Sequence, residues 1–178
     1  LRSLLSLRRA SNPQTNLIPL IMKLLTLTLS LVLAVAVGVS SVSAQDAVEI
    51  DGGNALIQKV ASTTELPNGN VLLSVKSNGF TWTNAEAPIG NGSITCSGST
   101  VMSAEGEQLS GAGSCRVLDA EGDTWTIWWS GTTSGDWALT GGTGKYAGAS
   151  GGGTWANTVA YADNKQMNSW MGSITMGM

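Results

Sequence analysis

The stretch from Trp137 to Trp155, WALTGGTGKYAGASGGGTW, holds seven glycines in nineteen residues and closes off most ways this chain could fold. Each glycine inside a helix costs about 1 kcal/mol relative to alanine, so no helix would run through it. The same chemistry continues on either side. Of the 134 residues after Ala44, 22 are glycine, proline is limited to Pro67 and Pro88, and Ser, Thr, Val, Ala and Trp supply most of the rest. No segment there carries a sustained helical apolar period bounded by caps. Alternation recurs instead, at Val71, Leu73, Val75; Phe80, Trp82; Val117 then Trp125, Ile127, Trp129; and Trp170, Gly172, Ile174. Strand candidates lie near 55–60, 71–76, 79–83, 93–99, 111–118, 124–130, 136–140, 152–159 and 167–175. Eight or nine short strands with glycine-bearing turns imply an antiparallel barrel or sandwich.

The glycine-rich stretch is not a nucleotide loop. A phosphate-binding loop needs a helix after it and a lysine followed by Ser or Thr. Here Lys145 precedes Tyr146, and Gly151 to Gly153 prevent a helix from continuing. The physical reading is that Gly141, Gly142 and Gly144 turn the chain, Tyr146 plugs an end of the sheet structure, and Gly148 to Gly153 ease a bent return strand.

Ahead of this region, Met22-Lys23 is followed by an apolar run, Leu24 to Val37, broken only by Thr26, Thr28 and Ser30. Val42-Ser43-Ala44 then fits the small-residue cleavage rule. The run falls short of the roughly 20 residues a spanning helix needs. We therefore expect residues 1–44 to be a cleavable signal peptide, with 1–21 preceding the true start, and 45–178 to form one domain. Gln45 stands where a lipoprotein would need cysteine. The expected product is secreted or periplasmic, with no membrane anchor after cleavage.

All 12 acidic residues lie beyond Ala44 but only five bases do, Lys59, Lys76, Arg116, Lys145 and Lys165, so the domain carries a net charge of −7. Such a surface disfavours nucleic acid and anionic lipid. Histidine is absent, which removes Ser-His-Asp and Cys-His catalysis and the commonest metal ligand. Asp119, Glu121 and Asp123 could hold calcium, but the segment lacks the distal glutamate of an EF-hand loop and reads first as a turn. Copper held by Met thioethers alone is remote. No metal and no cofactor is expected.

The two cysteines, Cys96 and Cys115, are expected to pair. If Glu105-Gly106 is a two-residue hairpin turn, positions summing to 211 face each other, and this sets Cys96 opposite Cys115. An exported chain oxidises such a pair. A second hairpin about Asp119 to Asp123, with Gly122 at its left-handed position, puts Val117 opposite Trp125 and Cys115 opposite Ile127. Trp125, Ile127 and Trp129 then share a face with the disulfide, and Trp128 lies on the other.

The segment Gly141-Gly142-Thr143-Gly144-Lys145-Tyr146-Ala147-Gly148, followed by Gly151, Gly153 and Trp155, resembles the glycine-rich motif of the allene oxide cyclase-like and dirigent-like β-barrel superfamily, which includes small exported bacterial proteins. The likeness covers about residues 93–160 and the remainder by strand count. It implies an eight-stranded antiparallel barrel with a glycine-rich hairpin, a lumen for a hydrophobic molecule, and oligomers in plant members. The cyclases act on a fatty-acid epoxide without a cofactor, and dirigent proteins orient phenoxy radicals. Neither family's functional residues map onto this chain; Tyr146 matches a structural aromatic.

Three functions are expected in competition. The first is a barrel binding a hydrophobic or aromatic small molecule through Trp125, Trp129, Trp137 and Trp155. The second is a cofactor-free cyclase or isomerase, which needs a buried carboxylate in the lumen; its catalytic residues are unknown, since Asp119, Glu121 and Asp123 sit in an expected solvent turn and Glu65 and Glu86 flank loops. The third is a structural or interaction barrel with a filled lumen, in which Met167, Met171, Met176 and Met178 make a C-terminal strand able to pair across a homo-oligomer edge.

Overall fold

The computed structural model describes residues 46–84 and 86–177. Eight strands follow one another: β1 (Val48–Glu65), β2 (Val71–Thr83), β3 (Gly92–Met102), β4 (Gln108–Leu118), β5 (Thr124–Gly131), β6 (Ser134–Gly142), β7 (Ser150–Ala160) and β8 (Lys165–Thr175). Each is antiparallel to its neighbour in sequence, and β1 also pairs with β8, which closes the sheet into a barrel. The expected all-β, eight-stranded barrel is what forms, and closure removes the sandwich alternative. The expected leader, 1–44, lies outside the described residues.

Two strand candidates, 71–76 and 79–83, are one strand. The polar pair Ser77-Asn78 separates the two candidates, yet Ser77 pairs with Gln58 and Cys96, and Gly79 with Leu56 and Ile94. Ladders on both sides hold the segment extended. β1 likewise exceeds its candidate, 55–60, because β8 holds its first half (Val48–Ile57) and β2 its second (through Glu65). Ser62, Thr63 and Thr64, solvent-exposed, give no alternation to read.

Both hairpin registers are observed, one for a different reason than expected. The turn between β3 and β4 is a three-residue loop, not the two-residue Glu105-Gly106 turn: Ser103 N–H bonds Glu107 O at 2.7 Å, and Gly106 takes φ +90°. That turn sets Met102 against Gln108, and a bulge at Leu109 restores Val101 to Ser110 and, further along, Cys96 to Cys115. The two cysteines form a disulfide with Cα atoms 4.0 Å apart. The loop at Asp119 to Asp123 is as expected, with Gly122 at φ +92° and Val117 opposite Trp125.

The two barrel ends differ. At one end lie only tight hairpins, 66–70, 103–107, 132–133 and 161–164. At the other, two longer connections turn inward. In 84–91, Thr83 Oγ1 donates to Ile89 O at 2.9 Å, and Ile89 is fully buried. In 143–149, a single 3₁₀ turn (Gly144–Tyr146) delivers the fully buried Tyr146 ring, the plug expected from the sequence. Ile50, Ile94, Val117 and Ile174, all 3 % exposed or less, complete this closed floor.

Candidate functional site

Above the floor the barrel encloses a cavity of about 120 Å³. Trp125 and Trp129 on β5, Trp137 on β6, Trp155 on β7 and Trp170 on β8 all line it. The structure therefore brings together all four tryptophans expected at a binding site and adds Trp170. The disulfide forms part of the same wall. Trp128 faces outward and is 45 % exposed.

Glycines make room for these rings. A Cβ at Gly98 would stand 2.8 Å from the Trp129 ring, and one at Gly113 2.9 Å from it. A Cβ at Gly52 would meet the Trp170 ring at 2.5 Å. The indoles pack edge to face: Trp129 with Trp155 at 6.0 Å between centroids, and Trp137 with Trp170 at 5.8 Å.

The indole N–H groups divide into two kinds. Trp137 Nε1 donates to Thr154 O and Met171 O, both at 3.2 Å, and Trp155 Nε1 donates to Ser130 O at 3.1 Å. These two are fixed to the wall. Trp125, 3 % exposed, has a buried Nε1 with no acceptor among the described residues.

Toward the open end the lining turns polar without becoming charged. Asn54 and Gln58 on β1, Gln108 on β4, Asn157 on β7 and Gln166 and Asn168 on β8 form a band of carboxamides. Register sets three of them in one row, since Asn168 faces both Asn54 and Asn157. Asn54 Nδ2 donates to Asn168 Oδ1 at 2.7 Å. Gln58, Gln108 and Gln166 are half-buried and Asn157 is exposed. Sequence reasoning missed this band, although alternation in Asn54-Ala55-Leu56-Ile57-Gln58 and Gln166-Met167-Asn168-Ser169-Trp170 puts those carboxamides on the same face as Leu56 and Trp170.

The one buried carboxylate among the described residues belongs to the floor, not to the cavity lining. Asp119 was expected in solvent; its side chain is 2 % exposed. Its Oδ1 accepts Glu121 N–H (3.0 Å) and Asp123 N–H (2.9 Å), and its Oδ2 accepts Tyr146 O–H (2.9 Å) and lies 2.8 Å from Lys145 Nζ. The tight turn folds the carboxylate back under the plug, which the sequence pattern of three acids in five residues concealed. Lys145 also bonds Glu121 at 2.8 Å, and Tyr146 Oη accepts Gly90 N–H at 3.0 Å. The Lys145 ammonium, followed by Tyr146 and the Asp123 amide, holds the Asp119 carboxyl far below its ordinary range. Asp119 and then Glu121 push Lys145 upward, and burial raises Tyr146. With all its lone pairs engaged, this group ties the glycine-rich hairpin to the β4–β5 turn. Glu121 and Asp123 also face donors of this hairpin, Lys145 Nζ and the Lys145 N–H. Among the described residues, no cluster of three His, Cys, Asp or Glu could hold a metal.

β8 is hydrogen-bonded on both sides, so it offers no free edge for an oligomer. Met171 is exposed outside the barrel, Met176 packs against the core, and Met178 lies outside the described residues.

No protein-family model matches the chain, and no curated protein sequence does. Among solved structures, the pterocarpan synthase dirigent protein GePTS1 superimposes with a TM-score of 0.52 at 14 % identity, over 79 % of this chain and 94 % of that one. A second, the pterocarpan synthase dirigent protein PsPTS1, gives 0.49 at 12 % identity, over 75 % and 97 %. The fold is that of the dirigent-like barrels, as the glycine motif implied.

Proposed function

We propose that this barrel binds a small, largely apolar aromatic molecule in its lumen. The observation that carries the reading is the cavity itself. Five of the seven tryptophans line a space of about 120 Å³ that is closed below and open above. A cavity on the order of 150 Å³ with apolar walls takes up benzene, so this one matches a single aromatic ring. The likeness of the fold to a protein described as a pterocarpan synthase dirigent protein supports the reading. None of the residues lining the cavity is an acid, a lysine, an arginine or a tyrosine. The lumen holds and orients a guest, and no group in it is placed to move a proton. The disulfide fits an oxidising compartment, and we place the protein outside the cytoplasm on that ground and on the expected leader.

Titration of the purified protein with toluene, benzyl alcohol and phenol should shift tryptophan emission and raise the melting temperature. A ligand at one hundred times its Kd adds about 2.7 kcal/mol of stability. If none of the three moves either signal, the lumenal reading fails.

A further inference from the structure

We propose that the guest carries an alkyl tail: a single aromatic ring sits in the lumen, and an uncharged chain leaves by the mouth to lie along an apolar strip on the inner face of β1, β2 and β3. This rests on the lumenal reading above and names the kind of ring compound the site prefers.

The strip exists because part of the wall runs on past the rest. β8 pairs with β1 only as far as Ile57, and β5 pairs with β4 only from Ala112 onward. Beyond those points β1 continues to Glu65, β2 begins at Val71, β3 ends at Met102 and β4 begins at Gln108, all still paired to one another. Alternation fixes what the inner face of this extension carries. On β2, Ser77 and Val75 line the lumen, and the next positions of the same parity are Leu73 and Val71. Leu73 pairs with Thr100, itself a lining residue, while Val71 pairs with Met102 and Val75 with Val60. An apolar path thus runs from the lumen wall at Val75 through Leu73 to Val71, flanked by Val60 and Met102. Leu73, Val71 and Met102 are half-buried, and Val60 is 49 % exposed.

A sheet face turned to water is ordinarily polar. The reverse side of the same strands follows that rule at Thr64, Ser74 and Ser99, and departs from it at the paired Leu72 and Val101. The carboxamide band takes its members from β1, β4, β7 and β8, so the β2 path leaves the lumen without crossing it. Ile89 and Tyr146 close the floor, so a tail too long for about 120 Å³ has to leave upward. From Val75 to Val71 is about 14 Å of extended strand, room for a chain on the order of ten carbons. Glu65, opposite Val71 at the far end, repels a tail that ends in a carboxylate.

Calorimetric titration of the intact protein with benzyl alcohol, 3-phenyl-1-propanol, 5-phenyl-1-pentanol and 8-phenyl-1-octanol tests this. A methylene covered from one side should add about twofold in affinity, so the octanol should bind on the order of a hundredfold tighter than benzyl alcohol. Leu73→Thr should weaken 8-phenyl-1-octanol about tenfold and leave benzyl alcohol within about twofold. Met102→Gln, close in size and shape, should do the same about threefold and guards against a Leu73 variant that folds poorly. 8-Phenyloctanoate should bind at least about tenfold more weakly than the alcohol, and Glu65→Gln should narrow that gap. If affinity stops rising after 3-phenyl-1-propanol, or the rise survives both apolar variants, the tail assignment is overturned while the lumenal reading stands on benzyl alcohol. Variants that weaken benzyl alcohol as much as the octanol overturn it too, since the strip then serves the fold. Equal binding of 8-phenyloctanoate overturns the selection against charge. Absence of heat with every member of the series overturns both readings.

Discussion

Asp119 shows how much one side chain can decide at the closed end of the barrel. Its four acceptor contacts draw the 119–123 turn, Lys145 and Tyr146 together. Because its folded pKa is depressed, the stability it confers is present above its ordinary value of 3.8 and disappears as pH falls through the folded value. Lys145 and Tyr146 are shifted upward from 10.5 and 10.0, so their contributions are present below those values and disappear as pH rises past them. Denaturation midpoints should therefore be flat between about pH 5 and 9 and fall on either side. Asp119→Asn should lower the plateau and flatten the acid limb, which urea titrations at pH 3 and pH 7 would check. An acid limb as steep as the parent's would show that other carboxylates dominate. Tyr146→Phe removes both hydroxyl bonds, the one donated to Asp119 and the one accepted from Gly90 N–H, and should cost about 1–3 kcal/mol in the same assay.

At the scale of strands and hairpins, sequence patterns were legible wherever one face was apolar. The Trp125-Ile127-Trp129 face and its register against Val117 and Cys115 follow from period two and a glycine at the left-handed turn position. The polar half of β1 and the Ser77-Asn78-Gly79 passage in β2 carried no such signal, because what holds them extended is pairing to strands distant in sequence. The carboxamide band escaped for a related reason: polar residues on an inward face look like polar residues on an outward one until the barrel closes. The disulfide joins β3 to β4 across 19 residues, and its reduction should lower stability by about 3 kcal/mol, measurable as a shifted urea midpoint in dithiothreitol. Gly98 matters to the site through absence. Gly98→Val would drive the Trp129 ring from its seat and strain the β3–β4 approach, costing about 1–3 kcal/mol. It should also abolish the emission change on ligand addition, an outcome that a merely destabilised but correctly shaped lumen would not give.

For the molecule as a whole, closure is the governing fact. Every strand has two partners, so no strand can leave without opening the ring. The cavity tryptophans sit on β5, β6, β7 and β8, and their fluorescence should lose intensity in a single transition that coincides with loss of β circular dichroism. Separate transitions would mean that the tryptophan-bearing half melts independently. The sealed floor at Ile89 and Tyr146 has a kinetic corollary. A vessel with one doorway must discharge what it holds by the path it came in, so successive guests queue rather than flow through. Any chemistry joining two molecules here would have to receive both from the same side, the second arriving over the exposed end of the first.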